Sequence, residues 1–242
     1  MVKVKIVIPT WNERENIERL LDNIRKVMSS LNIDYEVIIV DDNSPDGTAE
    51  IALKFNEVYG HVKVIKRYSK AGLGSAIKEG LKYALSDGNT LYIVTMDADL
   101  SHLPEEIPNL LYNASTVDIV QGSRYVKGGR IEGWRMHRRM MSWGANTFIR
   151  LLFHTNIKDH TSGFRVYTSE VAQVVVNETF SRGYEWLVEA LIVARKSGFT
   201  ITEVPITFIN RRKGKSKVGF REILRWLNFM LYYAFKQRCR KW

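Results

Sequence analysis

Two carboxylates one residue apart, Asp97 and Asp99, stand where the apolar, β-branched run Thr90-Leu91-Tyr92-Ile93-Val94-Thr95 gives out. The run reads as a buried strand. Ionised carboxylates are costly to bury unpaired, so the pair belongs at a solvated strand end or on a cation. A hard cation such as Mg²⁺ takes one or two carboxylates and completes its shell with water and phosphate oxygens, and Asp97-Ala98-Asp99 offers the protein's share of such a site. An isolated D-x-D is an ordinary polar turn; its company along the chain argues otherwise. Pro9-Thr10-Trp11-Asn12-Glu13 follows the strand-like Val4–Ile8, and Asp41-Asp42 follows Tyr35–Val40. Gly122-Ser123-Arg124-Tyr125 follows Val117–Gln121 and brings an arginine, whose planar fork suits phosphate oxygens.

The elements that must position these residues alternate. Ile17, Leu20, Leu21, Ile24 and Val27-Met28 recur at helical spacing after the first strand. Further helices are predicted over Ile51–Tyr59 and from Gly72 through Ala84, with the strand Val62–Ile65 between them. Repeated β-α units of this length predict an α/β fold, a mostly parallel central sheet flanked by helices. Ligands of such sheets sit beyond the carboxyl ends of the strands, where all the polar clusters fall. Three tempting motifs fail. Gly72-Leu73-Gly74-Ser75-Ala76-Ile77 lacks the last glycine or alanine of a dinucleotide fingerprint, and close packing is the simpler role for its glycines. Gly214-Lys215-Ser216 lacks the upstream P-loop glycine, since Ile209 stands there. In Asp41–Gly47, Pro45 occupies what would be a calcium-ligand position.

The second half is patterned differently. A helix starts at Pro104, and another runs from about Arg138 to Phe153 with Met141, Ala145, Phe148, Ile149 and Leu152 as a core stripe. Glu185 and Glu189 lie one helical turn apart, as a general base or as partners for a buried arginine. Thr200–Ile209 reads as one strand, followed by the basic loop Asn210–Lys217, which suits closing over an anion and equally an exposed basic turn. These parts form a single catalytic domain, 1–218. Residues 219–242 form an amphipathic basic helix with Arg221, Arg225, Asn228, Tyr232 and Lys236 on one stripe. Its apolar arc is too wide for one docking face, which points to a membrane interface or a partner helix. It is far shorter in apolar run than the ~20 residues of a span, although an anchor beyond it would leave the same pattern.

Composition bounds the rest. The 242 residues are 45% hydrophobic and 26% charged, ample for a buried core. A lone cysteine, Cys239, excludes an intrachain disulfide and suits a reducing compartment. The N-terminus enters a strand pattern at once, with no signal-peptide core. The net charge of +10 points to anionic partners without choosing among nucleotide, lipid headgroup and nucleic acid. No nucleic-acid recognition motif is present, and strand-end carboxylates repel phosphate unless a metal intervenes, so nucleic acid is not expected.

In order and spacing, the chain resembles the family-2, GT-A-type glycosyltransferases, and within them those that make dolichyl-phosphate mannose. The resemblance rests on Ile8–Asn16, Val40–Thr48, Gly72–Ala76, Met96–His102, Gly122–Tyr125, Thr161–Arg165, Glu203–Ile206 and Gly214–Lys217. It implies inverting transfer of mannose from GDP-mannose to dolichyl (polyprenyl) phosphate, with Mg²⁺ or Mn²⁺, at the cytoplasmic face of a membrane, as a peripheral protein with small anchoring subunits as potential partners. By the same resemblance Pro9, Trp11, Glu13, Val40 and Asp42 would hold the nucleotide, and Asp97, Ala98 and Asp99 the metal-diphosphate, with Ser101 near the metal. Arg211 and Lys217 would close on the donor, and Arg124, Arg138 and Ser142 would receive the lipid phosphate. Trp11 stands where the family usually has tyrosine, and Ser101 where one branch has a glutamine ligand.

The chemistry agrees with these residue types. A phosphate-monoester acceptor is already ionised near neutral pH, so no base is required. The Q-x-x-R-W motif of many hydroxyl-directed relatives is absent. Two rival readings remain distinguishable: the same fold with another donor, such as UDP-glucose, or a non-catalytic nucleotide-sugar-binding scaffold. Stabilisation by GDP with Mg²⁺ but not by nucleic acid, and turnover itself, separate them.

Overall fold

Six parallel strands bring their carboxyl ends to one edge, and one antiparallel strand among them brings its leading loop to the same edge. The structure, a computed structural model, describes residues 3–210 and 220–239. In chain order it runs β1 (Lys3–Thr10), α1 (Arg14–Leu31), β2 (Asp34–Asp41), α2 (Thr48–Tyr59), β3 (Val62–Lys66), α3 (Leu73–Leu85) and β4 (Thr90–Thr95). A 3₁₀ turn (Pro104–Glu106) leads into α4 (Ile107–Asn113), β5 (Ile119–Ser123), β6 (Arg130–Glu132) and α5 (Met136–Phe153). The chain ends in β7 (Arg165–Thr168), α6 (Ser169–Glu178), α7 (Trp186–Lys196), β8 (Ile201–Pro205), β9 (Thr207–Ile209) and α8 (Phe220–Cys239).

The main sheet has the order β3-β2-β1-β4-β7-β5-β8, and β6 pairs with β9 apart from it. All neighbours in the main sheet are parallel except β7, which is antiparallel to β4 and β5. Alternation along the strands feeds two cores. Val4, Ile6 and Ile8 of β1 face α1, α2 and α4, while Val7 joins Ile38 and Val40 of β2 against α3, α6 and α7. The Gly72-Leu73-Gly74 motif resolves as packing: a Cβ on Gly74 would stand 2.2 Å from Cβ of Trp186. A third cluster joins Ile149 of α5, Val188 and Ile192 of α7, and Met230 and Tyr233 of α8.

Three expectations change. Thr200–Ile209 is not one strand: β8 ends at Pro205 in the main sheet and β9 crosses to β6. The core stripe assigned to α5 holds for Ile149 and for the flanking Phe148 and Leu152, but Met141 is exposed, because α8 covers only the far end of α5. The wide apolar arc of α8 is divided: Met230, Tyr233 and Ala234 are buried, and Leu231, Tyr232 and Phe235 face outward. Among the described residues no helix is long and apolar enough to cross a membrane.

At the opposite end of the sheet, Lys5 is buried in β1 with its ammonium 2.8 Å from Asp87 and 3.6 Å from Glu36. Asp87 also meets Lys3 and accepts the Asn89 N–H. Burial opposes its charge, yet Lys5, Asn89 and Lys3 hold the carboxyl well below the ordinary carboxylate value. A depressed carboxyl contributes stability that is complete above its unfolded value and is lost as pH falls toward the folded one. Asp87→Ala, which leaves Lys5 buried beside Glu36 alone, is expected to cost about 2–3 kcal/mol in urea unfolding at pH 7. The difference from wild type should shrink below about pH 4.

Candidate active site

The ends of β1, β2 and β3 form the first part of the crevice. Asp41 is fully buried and organises the turns there: it accepts the Thr10 hydroxyl (2.8 Å), the Ser44 N–H (2.8 Å) and the Ser44 hydroxyl (2.6 Å). Ser44 Oγ in turn accepts the Asn12 N–H at 3.0 Å, and Asn12 and Asn43 both adopt left-handed backbone (φ 56° and 64°). Asp42 meets the Arg67 guanidinium at 2.7 Å, and Arg67 also reaches Ser75 (2.5 Å) and Glu79 (3.2 Å). Burial raises the Asp42 carboxyl against the pull of Arg67. Arg67 escaped the sequence reading because only its place just beyond β3 marks it. Trp11 is half-buried with the Lys70 ammonium 4.8 Å from its ring centre. The Glu13 N–H donates to Thr48 Oγ1, and its carboxylate accepts Asn16 Nδ2. Pro9 pairs in register with Val40. The Val40 side chain is buried against α3, where a Cβ on Gly80 would meet its Cγ2 at 3.1 Å.

The Asp97–His102 loop is the second part. Met96 makes the last backbone bond, to Val7 O. The Asp97 N–H then donates to His102 Nδ1 (3.0 Å), and the Ser101 N–H to Asp99 Oδ1 (3.1 Å), with Leu100 left-handed between them (φ 60°). The Ile209 N–H of β9 donates to Ser101 O. His102 is wholly buried, stacked on Phe164 and edge-on to Phe208. Burial keeps its pKa below the ordinary value against the Asp97 and Asp99 charges. Asp97 and Asp99 are half-buried at the crevice, whereas Ala98 belongs to the core. Ser101 is 1% exposed, and its buried hydroxyl has no hydrogen-bond partner. Among the described residues no cluster of three or more His, Cys, Asp or Glu can hold a metal alone. Two carboxylates suffice for a hard cation that arrives on a diphosphate, so the residues present fit that case.

The third part centres on Arg124, and here the structure differs most from expectation. Arg124 is turned inward: its Nε and Nη2 donate to the two oxygens of Asp159, each at 2.7 Å, and Nη2 also to Thr161 Oγ1. Both partners are almost fully buried. Asp159 further accepts the N–H groups of Arg124, Thr161 and Ser162, and Glu203 of β8 accepts those of Lys158 and Asp159. Burial works against both ions, yet the pairing keeps the carboxyl low and the guanidinium high. The phosphate-receiving fork expected of Arg124 is thus occupied by Asp159. Arg124 still lines a cavity of ≈370 Å³, with Tyr125, Gly129, Ile131, Arg139, Met140 and Trp143.

On α5, Arg138 stacks over Trp134 at 4.0 Å and donates to Asn210 Oδ1. Ser142 lies beside the Tyr125 hydroxyl. Neither lines that cavity, which takes Arg139 instead. Arg211 and Lys217, with the rest of Gly214–Lys217, lie outside the described residues. The alternatives for Glu185 and Glu189 both give way to backbone capping: buried Glu189 accepts the N–H groups of Phe180 and Ser181, and Glu185 that of Gly183. Asp159, Thr161 and Glu203 were not singled out from sequence as site residues. The signal of Asp159 and Thr161, a dense polar run just before a strand, resembles any turn, and Glu203 is a single polar residue inside β8.

Residues 5–175 match the family described as Glycosyl transferase family 2, and the chain belongs to it. It is 42% identical over 231 residues to a dolichol-phosphate mannosyltransferase of Pyrococcus furiosus, covering 93% of this chain and 62% of that protein. The chain therefore spans less than two thirds of that relative's length. It is 36% identical over 219 residues to an undecaprenyl-phosphate mannosyltransferase of Micrococcus luteus, covering 90% and 88% of the two chains. The fold is that of glucosyl-3-phosphoglycerate synthase from Mycobacterium tuberculosis, crystallised with Mn²⁺, UDP and glucosyl-3-phosphoglycerate. That likeness has a TM-score of 0.71 at 19% identity and covers 98% of this chain and 80% of the other.

Arg124→Ala would strand the Asp159 charge in the interior, and a loss of about 3–5 kcal/mol in folding stability is expected. Arg124→Lys should recover little of it, since an ammonium cannot reproduce the fork. Chemical denaturation of the three proteins checks both statements.

Proposed function

We propose that this chain is an inverting transferase that moves mannose from GDP-mannose to the phosphate of a polyprenyl lipid such as dolichyl phosphate. The observation that carries this reading is the juxtaposition of two half-exposed carboxylates at the end of β4 with a cavity whose lining joins arginines to Met140 and Trp143. Phosphate and prenyl chain ask for that mixture of cation and apolar wall. The names of the family-2 relatives in Pyrococcus and Micrococcus support the acceptor class.

In this reading Trp11, Glu13 and Asp42, with the strand ends at Pro9 and Val40, hold the nucleotide. Asp97 and Asp99 hold a Mg²⁺ or Mn²⁺, which when bound neutralises the charge growing on the leaving diphosphate. Ala98 sets the spacing between them. Arg211 and Lys217 close on the donor from the segment after β9. A phosphate oxygen of the acceptor forms a bond to C1 of mannose as the bond from C1 to GDP breaks, and its electron pair leaves with GDP. Attack opposite the leaving group inverts C1. The acceptor is already an anion, so positioning and charge stabilisation are the protein's whole task. Arg139, Arg138, Ser142 and the outer edge of Arg124 receive the lipid phosphate.

The same reading places the protein on a membrane surface, at its cytoplasmic face. Met136, Met140, Trp143 and Leu151 share one face of α5 and are exposed, with Arg139 and Arg150 alongside, and α8 adds Leu231, Tyr232 and Phe235.

The test is transfer from labelled GDP-mannose to a detergent-dispersed polyprenyl phosphate. Labelled lipid should appear with Mg²⁺ or Mn²⁺ and vanish with chelator. Asp99→Ala should lower turnover by roughly 10²-fold or more without moving the unfolding midpoint. Undiminished turnover by that variant would sink the cation assignment, and efficient transfer from UDP-glucose alone would replace the donor. In a separate measurement, Trp143→Asp with Phe235→Asp should release the protein from vesicles of anionic lipid in a sedimentation assay.

A further inference from the structure

His102 takes no part in the transfer just described, yet its ring is wholly buried beside the site. Its Nε2 is buried and has no hydrogen-bond partner. The ring lies against Phe164 and Phe208, a slot that a phenylalanine would fill without burying an unpaired N–H. The imidazole is therefore kept for its other nitrogen. Nδ1 accepts the Asp97 N–H at 3.0 Å, the first amide after the chain leaves the sheet at Met96. That bond closes a loop whose crest, Leu100, is held left-handed, and whose other ties are Ser101 N–H to Asp99 Oδ1 and Ile209 N–H to Ser101 O. The Asp97 carboxylate lies 3.7 Å from the same Nδ1, beyond hydrogen-bond distance, and its side chain is 37% exposed.

We propose that His102 is a positioning residue: by accepting the Asp97 amide proton, it holds the Asp97 and Asp99 carboxylates in the arrangement that admits a divalent cation with its diphosphate. This rests on the reading that those two carboxylates take the cation. The nitrogen that matters is an acceptor, so the substitutions divide cleanly. Asparagine places an amide oxygen near the position of Nδ1, phenylalanine keeps the ring shape and removes the acceptor, and glutamine reaches the position of Nε2 instead.

The experiment is Mn²⁺ binding to the GDP-saturated protein, followed by the electron paramagnetic resonance of free Mn²⁺, alongside GDP binding without metal and the unfolding midpoint. His102→Phe should weaken Mn²⁺ binding about 10-fold or more, the usual effect of losing a partner that orients a metal ligand. Metal-free GDP affinity should hold, and His102→Asn should recover most of the Mn²⁺ affinity. Should His102→Phe fail to fold, His102→Gln takes its place with the same expectation. Wild-type Mn²⁺ affinity in the phenylalanine or glutamine variant, or a defect in the asparagine variant as deep as theirs, would overturn the positioning role alone. A wild-type protein that takes up no Mn²⁺ with GDP would overturn the cation reading as well. A general packing role predicts loss of metal-free GDP affinity and of thermal stability together with the Mn²⁺ affinity, and that pattern also counts against the proposal.

Discussion

The ion pair between Arg124 and Asp159 is the constraint on which the second half of the structure depends. Two charges removed from water must be matched to each other and to further hydrogen bonds, or the fold loses more than it gains. Here the matching groups come from four places. Arg124 follows β5, and Asp159 and Thr161 lie in the loop before β7. Glu203 of β8 ties the same loop from below, and Asn146 of α5 ties it from above, donating to Thr161 and accepting the His160 N–H. One buried carboxylate thus sets the mutual placement of a strand, an edge strand, a loop and the helix that borders the cavity. The fully buried Arg165 extends the arrangement, donating to the carbonyls of His160 and Ser162 and to the Tyr167 hydroxyl.

The two halves of the site differ in how local they are. On the side of β1, β2 and β3, most contacts join residues at the tips of adjacent parallel strands, as in Thr10–Asp41–Ser44 and Asp42–Arg67. That side was legible because each tip is announced by an apolar run that stops at a polar cluster. The central parallel sheet was legible for the same reason. The other side was not. β7 is four residues long and antiparallel, and no periodicity says that it inserts between β4 and β5. Without that insertion nothing places Asp159 beside Arg124, and the arginine reads as an open phosphate ligand. The division of Thr200–Ile209 between two sheets escaped for a related reason: the turn at Ile206 costs no change in composition.

Among single residues the pattern repeats. Ser101 and Val40 stand out in the sequence only by resemblance, and both side chains are buried. Asp97 and Asp99 lie at the strand end where spacing alone put them. Arg67 meets Asp42 from the end of another strand and His102 meets the Asp97 amide across its own loop, and their residue types alone carry no such message. For α8 the amphipathic pattern was correct, but a helix can dock one arc and display another, and only the positions of α5 and α7 determine which arc is which.

The insertion of β7 also bears on how the chain reaches this state. Both neighbours of β5 in the sheet, β7 and β8, come later in sequence than β5 itself. As the chain emerges, β1 to β4 can assemble from contiguous β-α units, but β5 has two open edges until β7 exists and one until β8 follows. Unpaired strand edges are where nascent chains associate wrongly. The order of synthesis therefore divides this protein into an early-forming half, which builds the crevice at the ends of β1, β2 and β3, and a late half that locks together only when its last strands arrive. Non-local pairing, which slows folding, occurs in both halves, in β1 with β4 and in β5 with β8.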